Sequence, residues 1–213
     1  MFLTSKSFAP YDFLPSRLVF GEHDPETKVR LAGNRNPHLA WSGAPIGTQS
    51  FALLCVDPDV PSRGDDVNKE GREVAIELPR VDFFHWVVAD LPSTVNEIAE
   101  GAHADGVTAR GKAPGPTPDG GVCGLNDYTG WFAGHPDMGG IYAGYDGPGP
   151  PWNDLRVHGY RFQVFALDVP SLGLSGHFTG HDLRRAMSGH VLASCELVGL
   201  HSTHAHVLSR RTS

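Results

Sequence analysis

Phe51-Ala-Leu-Leu-Cys-Val-Asp57 is a run of six apolar residues closed by an acid, and both of its alternating faces are apolar. A strand with water on one side alternates apolar with polar residues, whereas a strand buried on both sides does not. The stretch therefore reads as a central strand covered on both faces, with Asp57 where it ends. Phe83-Phe-His-Trp-Val-Val-Ala89 is a second such run, aromatic and β-branched, and His85 is its one strongly polar side chain. Tyr160-Arg-Phe-Gln-Val-Phe-Ala-Leu167 opens with strict alternation, which sends Tyr160, Phe162 and Val164 to one face and Arg161 and Gln163 to the other. It reads as a half-exposed strand. Three such segments predict a mainly β fold with helix well below strand.

Helix signals are few and short. Thr179-Gly-His-Asp182 has the form of a capping box, with Leu183, Ala186 and Met187 following at helical spacing up to Gly189. Thr94 with Glu97 predicts another short helical turn ending at Gly101. From Gly101 to Gly149 turn formers dominate, a length of connection that is usually functional or carries short elements. The chain has 213 residues with 26 glycines and 17 prolines, so many turns surround a core that fits one domain, residues 1–213.

A net charge of −7 argues against a nonspecific grip on nucleic acid. No apolar run reaches the roughly 18 residues that a membrane helix needs, and Met1 to Pro10 holds no apolar signal core. The expectation is a cytoplasmic protein without membrane insertion. Cys55, Cys123 and Cys195 are odd in number and widely spaced, which predicts free thiols, with Cys55 a small buried hydrophobe.

Asp57-Pro-Asp-Val-Pro-Ser-Arg63 follows a buried strand, with prolines that restrict the backbone and two carboxylates that can accept local N–H groups. A rigid turn and a binding loop both fit this pattern. The Pro58 and Pro61 pair also makes Val60-Pro61 a candidate cis bond at a tight reversal. His85, on a buried strand, must have a hydrogen-bond partner or a cavity to face. His158 and Tyr160 lie two apart, so both side chains reach one face; ordinary polarity at a strand end fits equally well. His201, His204 and His206 lack carboxylate or cysteine companions at ligand spacing and read as an exposed histidine-rich tail. His135 reads as a loop residue. The sequence contains no phosphate-binding glycine loop, nucleophile elbow or paired zinc motif.

Taken in order, these segments resemble the phosphatidylethanolamine-binding proteins, in particular their bacterial, Raf-kinase-inhibitor-like branch. The resemblance is carried by Asn36-Pro-His-Leu-Ala-Trp-Ser-Gly-Ala-Pro45, Asp57-Pro-Asp-Val-Pro-Ser-Arg63 and His85-Trp-Val-Val-Ala-Asp-Leu-Pro92. It continues through Gly124-Leu-Asn-Asp-Tyr-Thr-Gly-Trp-Phe132, Tyr145-Asp-Gly-Pro-Gly-Pro-Pro151, His158-Gly-Tyr160, Phe178-Thr-Gly180 and Gly189-His-Val-Leu-Ala193. It implies a β-sandwich with a large central antiparallel sheet, a few short peripheral helices, and a small anion pocket at one end of the sheet. By this resemblance the pocket residues are Asp57, Asp59, Pro61, His85, Gly147, Pro150, His158 and Tyr160. The chain departs from the family pattern at Gly159, where a bulky residue is common, at Trp152–Arg156, and in an expanded charged loop from Asp65 to Arg80.

The implied function is binding of a small anion, phosphate or a phospholipid headgroup, with no cofactor and no metal. Protonated His85 and His158 and the Tyr160 hydroxyl would donate to the anion, Asp57 would orient an imidazole, and N–H groups around Gly147 would add a nest. A kinase or protease partner and a homodimer are further implied roles. Two alternatives use the same residues: a hydrolase with a histidine base, and a metal site of His85, His158 and Asp57.

Overall fold

The apolar runs become the centre of the sheet. In the computed structural model, which describes residues 1–210, the strands in chain order are Phe2–Thr4 (β1), Gly21–Asp24 (β2), Lys28–Leu31 (β3), Leu39–Ser42 (β4), Ser50–Pro61 (β5), Arg80–Pro92 (β6), Glu97–Ile98 (β7), Gly115–Pro116 (β8), Val122–Cys123 (β9), His158–Leu167 (β10) and Val191–His201 (β11). Three short α-helices, Tyr128–Trp131 (α1), Gly180–Ala186 (α2) and Ala205–Ser209 (α3), and a single 3-10 turn at Ser16–Leu18 lie between or after them. The main sheet has the order β11-β10-β5-β6-β9-β8, with antiparallel neighbours throughout. A three-stranded sheet β1-β4-β7 and a hairpin β2-β3 complete the β structure.

Strand β5 is central, between β10 and β6, and its side chains alternate between two cores. Phe51, Leu53 and Cys55 join one cluster with Trp41, Leu39 and Ile98 of the small sheet, while Ala52, Leu54 and Val56 join another with Leu183 and Met187. Both faces are thus covered, which is why this strand lacks polar alternation. Helix α2 carries the expected capping box, Thr179 accepting from the Asp182 N–H and Asp182 accepting from the Thr179 N–H. It packs so closely on β6 that a Cβ at Gly180 would stand 2.2 Å from the Phe84 ring.

Three sequence expectations fail here. The Thr94–Gly101 segment forms no helix; Glu97 and Ile98 pair with Ala40 and Leu39 as β7, because Ile98 gains complete burial in the core that a lone helical turn cannot offer. His201 is no part of an exposed tail. It ends β11 opposite His158, is 6% exposed, and its Nε2 lies 2.9 Å from the Gly21 carbonyl. The Val60-Pro61 bond is trans. The chain does not reverse there: β5 runs on, with Val60 opposite Val81 and Pro61 opposite Arg80, and a bulge between Asp57 and Val60 absorbs the irregularity.

Candidate functional site at the end of the central sheet

Three adjacent strands deliver the polar residues. Asp57 follows Cys55 by two on β5, and His158 and Tyr160 precede Phe162 on β10, so all three face the larger core. His85 gets there by a bulge. Cys55 pairs with Trp86 and Val56 with Phe84, leaving His85 as the unpaired residue between them on β6, turned out of the ladder into the site.

His158 is fully buried and sits between two carboxylates. Its Nδ1 lies 2.7 Å from Asp57 Oδ2 and its Nε2 3.2 Å from Asp154 Oδ2. Both N–H groups are committed. Burial pulls the imidazole pKa down, but the two carboxylates outweigh it and raise it to about 9. Burial pushes Asp57 and Asp154 up, yet hydrogen bonds and charge from His158, joined at Asp154 by Arg80, hold both below the ordinary carboxylate range. Arg80 also bonds Asp154 directly and donates to the Asp59 carbonyl at 2.8 Å. Asp57, His158, Asp154 and Arg80 therefore alternate in charge and cancel. Protonated His158 has no donor left for an anion, contrary to the expectation from sequence.

His85 is the opposite case. Its ring is walled by Phe83, Tyr160 and Tyr128, with centroids 4.8, 5.1 and 5.5 Å away. Nδ1 lies 2.8 Å from the Asp146 carbonyl and donates to it, leaving Nε2 as the nitrogen available to a ligand. Burial lowers the pKa, and the nearby Asp57 charge and the Asp146 carbonyl only partly restore it. At neutral pH this imidazole is therefore mostly uncharged, and it can serve as a charged donor only at lower pH. Its support is rigid, because the buried Asp146 carboxylate accepts from Asn34 and Asn126, each at 2.8 Å, and from Lys112 at 2.9 Å.

These side chains surround a pocket of about 90 Å³. Of the eight residues expected there, Asp57, Pro61, His85, Pro150, His158 and Tyr160 line it, and Asp59 and Gly147 do not. Asp59 instead accepts from Arg156 and from the Gly159 N–H, each at 3.0 Å, which ties β10 to β5 where Gly159 offers no side chain. Gly147 donates its N–H to Asn34 at 2.8 Å, so it cannot contribute to a nest; it is glycine because a Cβ would stand 2.4 Å from the Leu18 carbonyl. Tyr160 is fully buried, and its hydroxyl makes no hydrogen bond of good geometry, although it interacts with the Asp57 carboxylate. Tyr128, Trp131, Phe83 and Val67 line the pocket without having been expected. The first two lie in the Gly124–Phe132 motif, whose aromatic residues were the available signal; Asp154, four residues before His158 in irregular backbone, offered none. Among the described residues no group of three or more His, Cys, Asp or Glu is arranged to hold a metal ion, and no helix is long and apolar enough to cross a membrane.

Residues 4–202 match the profile of the phosphatidylethanolamine-binding protein family. The chain belongs to that family. Among its relatives in the family, a UPF0098 protein of Aquifex aeolicus is 32% identical over 184 residues, covering 85% of this chain and 82% of that protein. The UPF0098 protein YbhB of Escherichia coli is 29% identical over 206 residues, covering 95% of this chain and all of YbhB. Neither relative is named for a reaction. The crystal structure of E. coli YbcL, described as a member of the mammalian PEBP family, superposes with a TM-score of 0.67 at 27% identity, covering 94% of this chain and 96% of YbcL. A Chlamydia trachomatis homologue, CT736, gives a TM-score of 0.60 at 26% identity over the same shares. The mainly β sandwich of this family member is thus shared with solved relatives.

Proposed function

We propose that the pocket binds a small anion of the phosphate type, free or as a headgroup, and that the protein acts by binding rather than by catalysis. The observation that supports this most is the Tyr160 hydroxyl, buried in the pocket wall with no well-formed hydrogen bond and only the Asp57 carboxylate to interact with. A buried donor left unsatisfied costs about 1–3 kcal/mol, which an acceptor oxygen on a ligand recovers. Asp57 does not repel that ligand strongly, because its charge is already balanced by His158. The second donor is His85 Nε2, which must gain a proton to serve, so binding takes up a proton at neutral pH. Any inhibition of a kinase or protease partner would be exerted by the surface around this mouth.

Calorimetric titration with phosphate, and with sulfate as a ligand of constant charge, should show affinity rising from about pH 8 to about pH 5.5 as His85 becomes chargeable. Affinity for sulfate independent of pH would refute the proton uptake, and no binding of either ion would refute the anion reading. A hydrolase reading draws on the same neutral Nε2, which is a competent base; hydrolysis of an aryl phosphate that is lost in His85→Ala would establish it.

A further inference from the structure

Three local devices shape a groove beside Trp152. In the turn between β2 and β3, Asp24 Oδ1 accepts from the Glu26 and Thr27 N–H groups at 3.0 and 2.8 Å, and Lys28 closes the turn opposite Asp24 with φ 72°. That is the left-handed region, which costs a lysine energy that a glycine would not lose. At the second wall, Asn68 Oδ1 accepts from the Trp152 N–H at 3.0 Å, and the buried Asn153 donates to the Asp66 and Arg72 carbonyls at 2.8 and 3.0 Å. At the third, Thr203 Oγ1 donates to the Pro150 carbonyl at 2.8 Å, and Ser202 Oγ accepts from the His204 N–H at 3.1 Å.

These walls border a hollow of about 380 Å³ lined by His23, Pro25, Lys28, Trp152, His204 and Ala205, none of which lines the pocket at the end of the sheet. A second hollow, which holds Arg72 and Glu73, meets it at Trp152 and His204. Lys28 Nζ stands 5.8 Å from the centroid of the Trp152 ring and joins no ion pair among the described residues. His204 Nδ1 accepts from the His206 N–H at 3.2 Å, so the ring proton lies on Nε2. Burial lowers the His204 pKa, with Glu73 opposing and His206 adding to the effect, and the ring is a neutral donor at pH 7. His23 donates through Nδ1 to the Thr203 carbonyl at 3.1 Å and leaves Nε2 open. The first hollow therefore offers an ammonium, a ring N–H and an indole, and no carboxylate lines it.

A carboxylate satisfies the two donors, and a flat ring suits the indole, because aromatic pairs prefer offset stacking. Glu73 in the adjoining hollow opposes a second negative charge. We propose that this groove is a second ligand site, for a planar aromatic monocarboxylate whose ring lies on Trp152 and whose carboxylate meets Lys28 and His204. The site stands independently of the anion reading of the pocket. Hydrogen bonds already tie all three walls, so little is left to order on binding.

The test is calorimetric titration of the full chain with 2-naphthoate, in wild type, Lys28→Gly and Trp152→Ala. Wild type should bind 2-naphthoate, and should bind cyclohexanecarboxylate, of equal charge but puckered, and naphthalene-2,3-dicarboxylate, of double charge, at least about threefold more weakly. Lys28→Gly and Trp152→Ala should each weaken 2-naphthoate about tenfold. Glycine adopts the backbone conformation of Lys28 without strain, so Lys28→Gly carries the test alone if Trp152→Ala does not fold. Absence of 2-naphthoate binding to wild type up to about 5 mM, an affinity unchanged in Lys28→Gly, or equal binding of either comparison acid overturns the proposal.

Discussion

The β6 side and the β10 side of the pocket each present one buried histidine, 3% and 0% exposed, in the same face of the same sheet. His158 faces two carboxylates and keeps its proton; His85 faces a carbonyl and three aromatic rings and gives its proton up. Burial acts on both in the same direction, against charge. What separates them is the partner. A carboxylate at 2.7 Å outweighs desolvation, whereas a neutral carbonyl at 2.8 Å does not. The charged histidine is consequently structural, part of a neutral chain, and the uncharged one is the group that can respond to a ligand.

The largest effect expected is on the β10 side. Asp57→Ala strips His158 of one counter-charge inside the core and should destabilise the protein by about 3–5 kcal/mol in urea unfolding. A loss below about 1 kcal/mol would mean that His158 is neutral and that the two histidines do not differ.

The pH dependence of stability sharpens the comparison because its sign differs between them. His158, raised from 6.5 to about 9, contributes stability that is complete below pH 6.5 and is lost as pH rises through 9. His85, lowered from 6.5, contributes stability that is complete above that value and is lost as pH falls through its depressed pKa. Unfolding measured between about pH 6.5 and 9.5 should show a decline on the order of 3 kcal/mol in wild type that is missing in His158→Gln. A direct readout is the ring proton shifts of the two histidines, which should titrate on opposite sides of 6.5.

On the ligand side, His85→Ala should cost about 1.5–3 kcal/mol of sulfate binding near pH 5.5, and abolish its pH dependence, as loss of a charged donor requires. Tyr160→Phe should cost less, about 0.5–1.5 kcal/mol of binding, with folding stability unchanged or raised, because the hydroxyl it removes makes no well-formed hydrogen bond within the protein. A clear loss of folding stability in Tyr160→Phe would show that the hydroxyl is already satisfied and would leave His85 as the single ligand donor.

Local pattern sufficed for a definite part of this protein. The strands around 51–57, 83–89 and 160–167, the shared face of His158 and Tyr160, and the capping box at Thr179 all follow from periodicity and from short-range hydrogen-bond chemistry, which operate within a few residues. Tertiary structure decided the rest. The bulge that aims His85 exists only because β5 and β6 pair in a particular register. Ile98 became strand rather than helical turn because a core from distant segments was there to bury it. The charge on each histidine depended on partners that no spacing rule links to it: Asp57, 101 residues from His158, and the carbonyl of Asp146, 61 residues from His85. A sequence states which groups can titrate; which of them do is set by the desolvation and counter-charges that only the folded chain assembles.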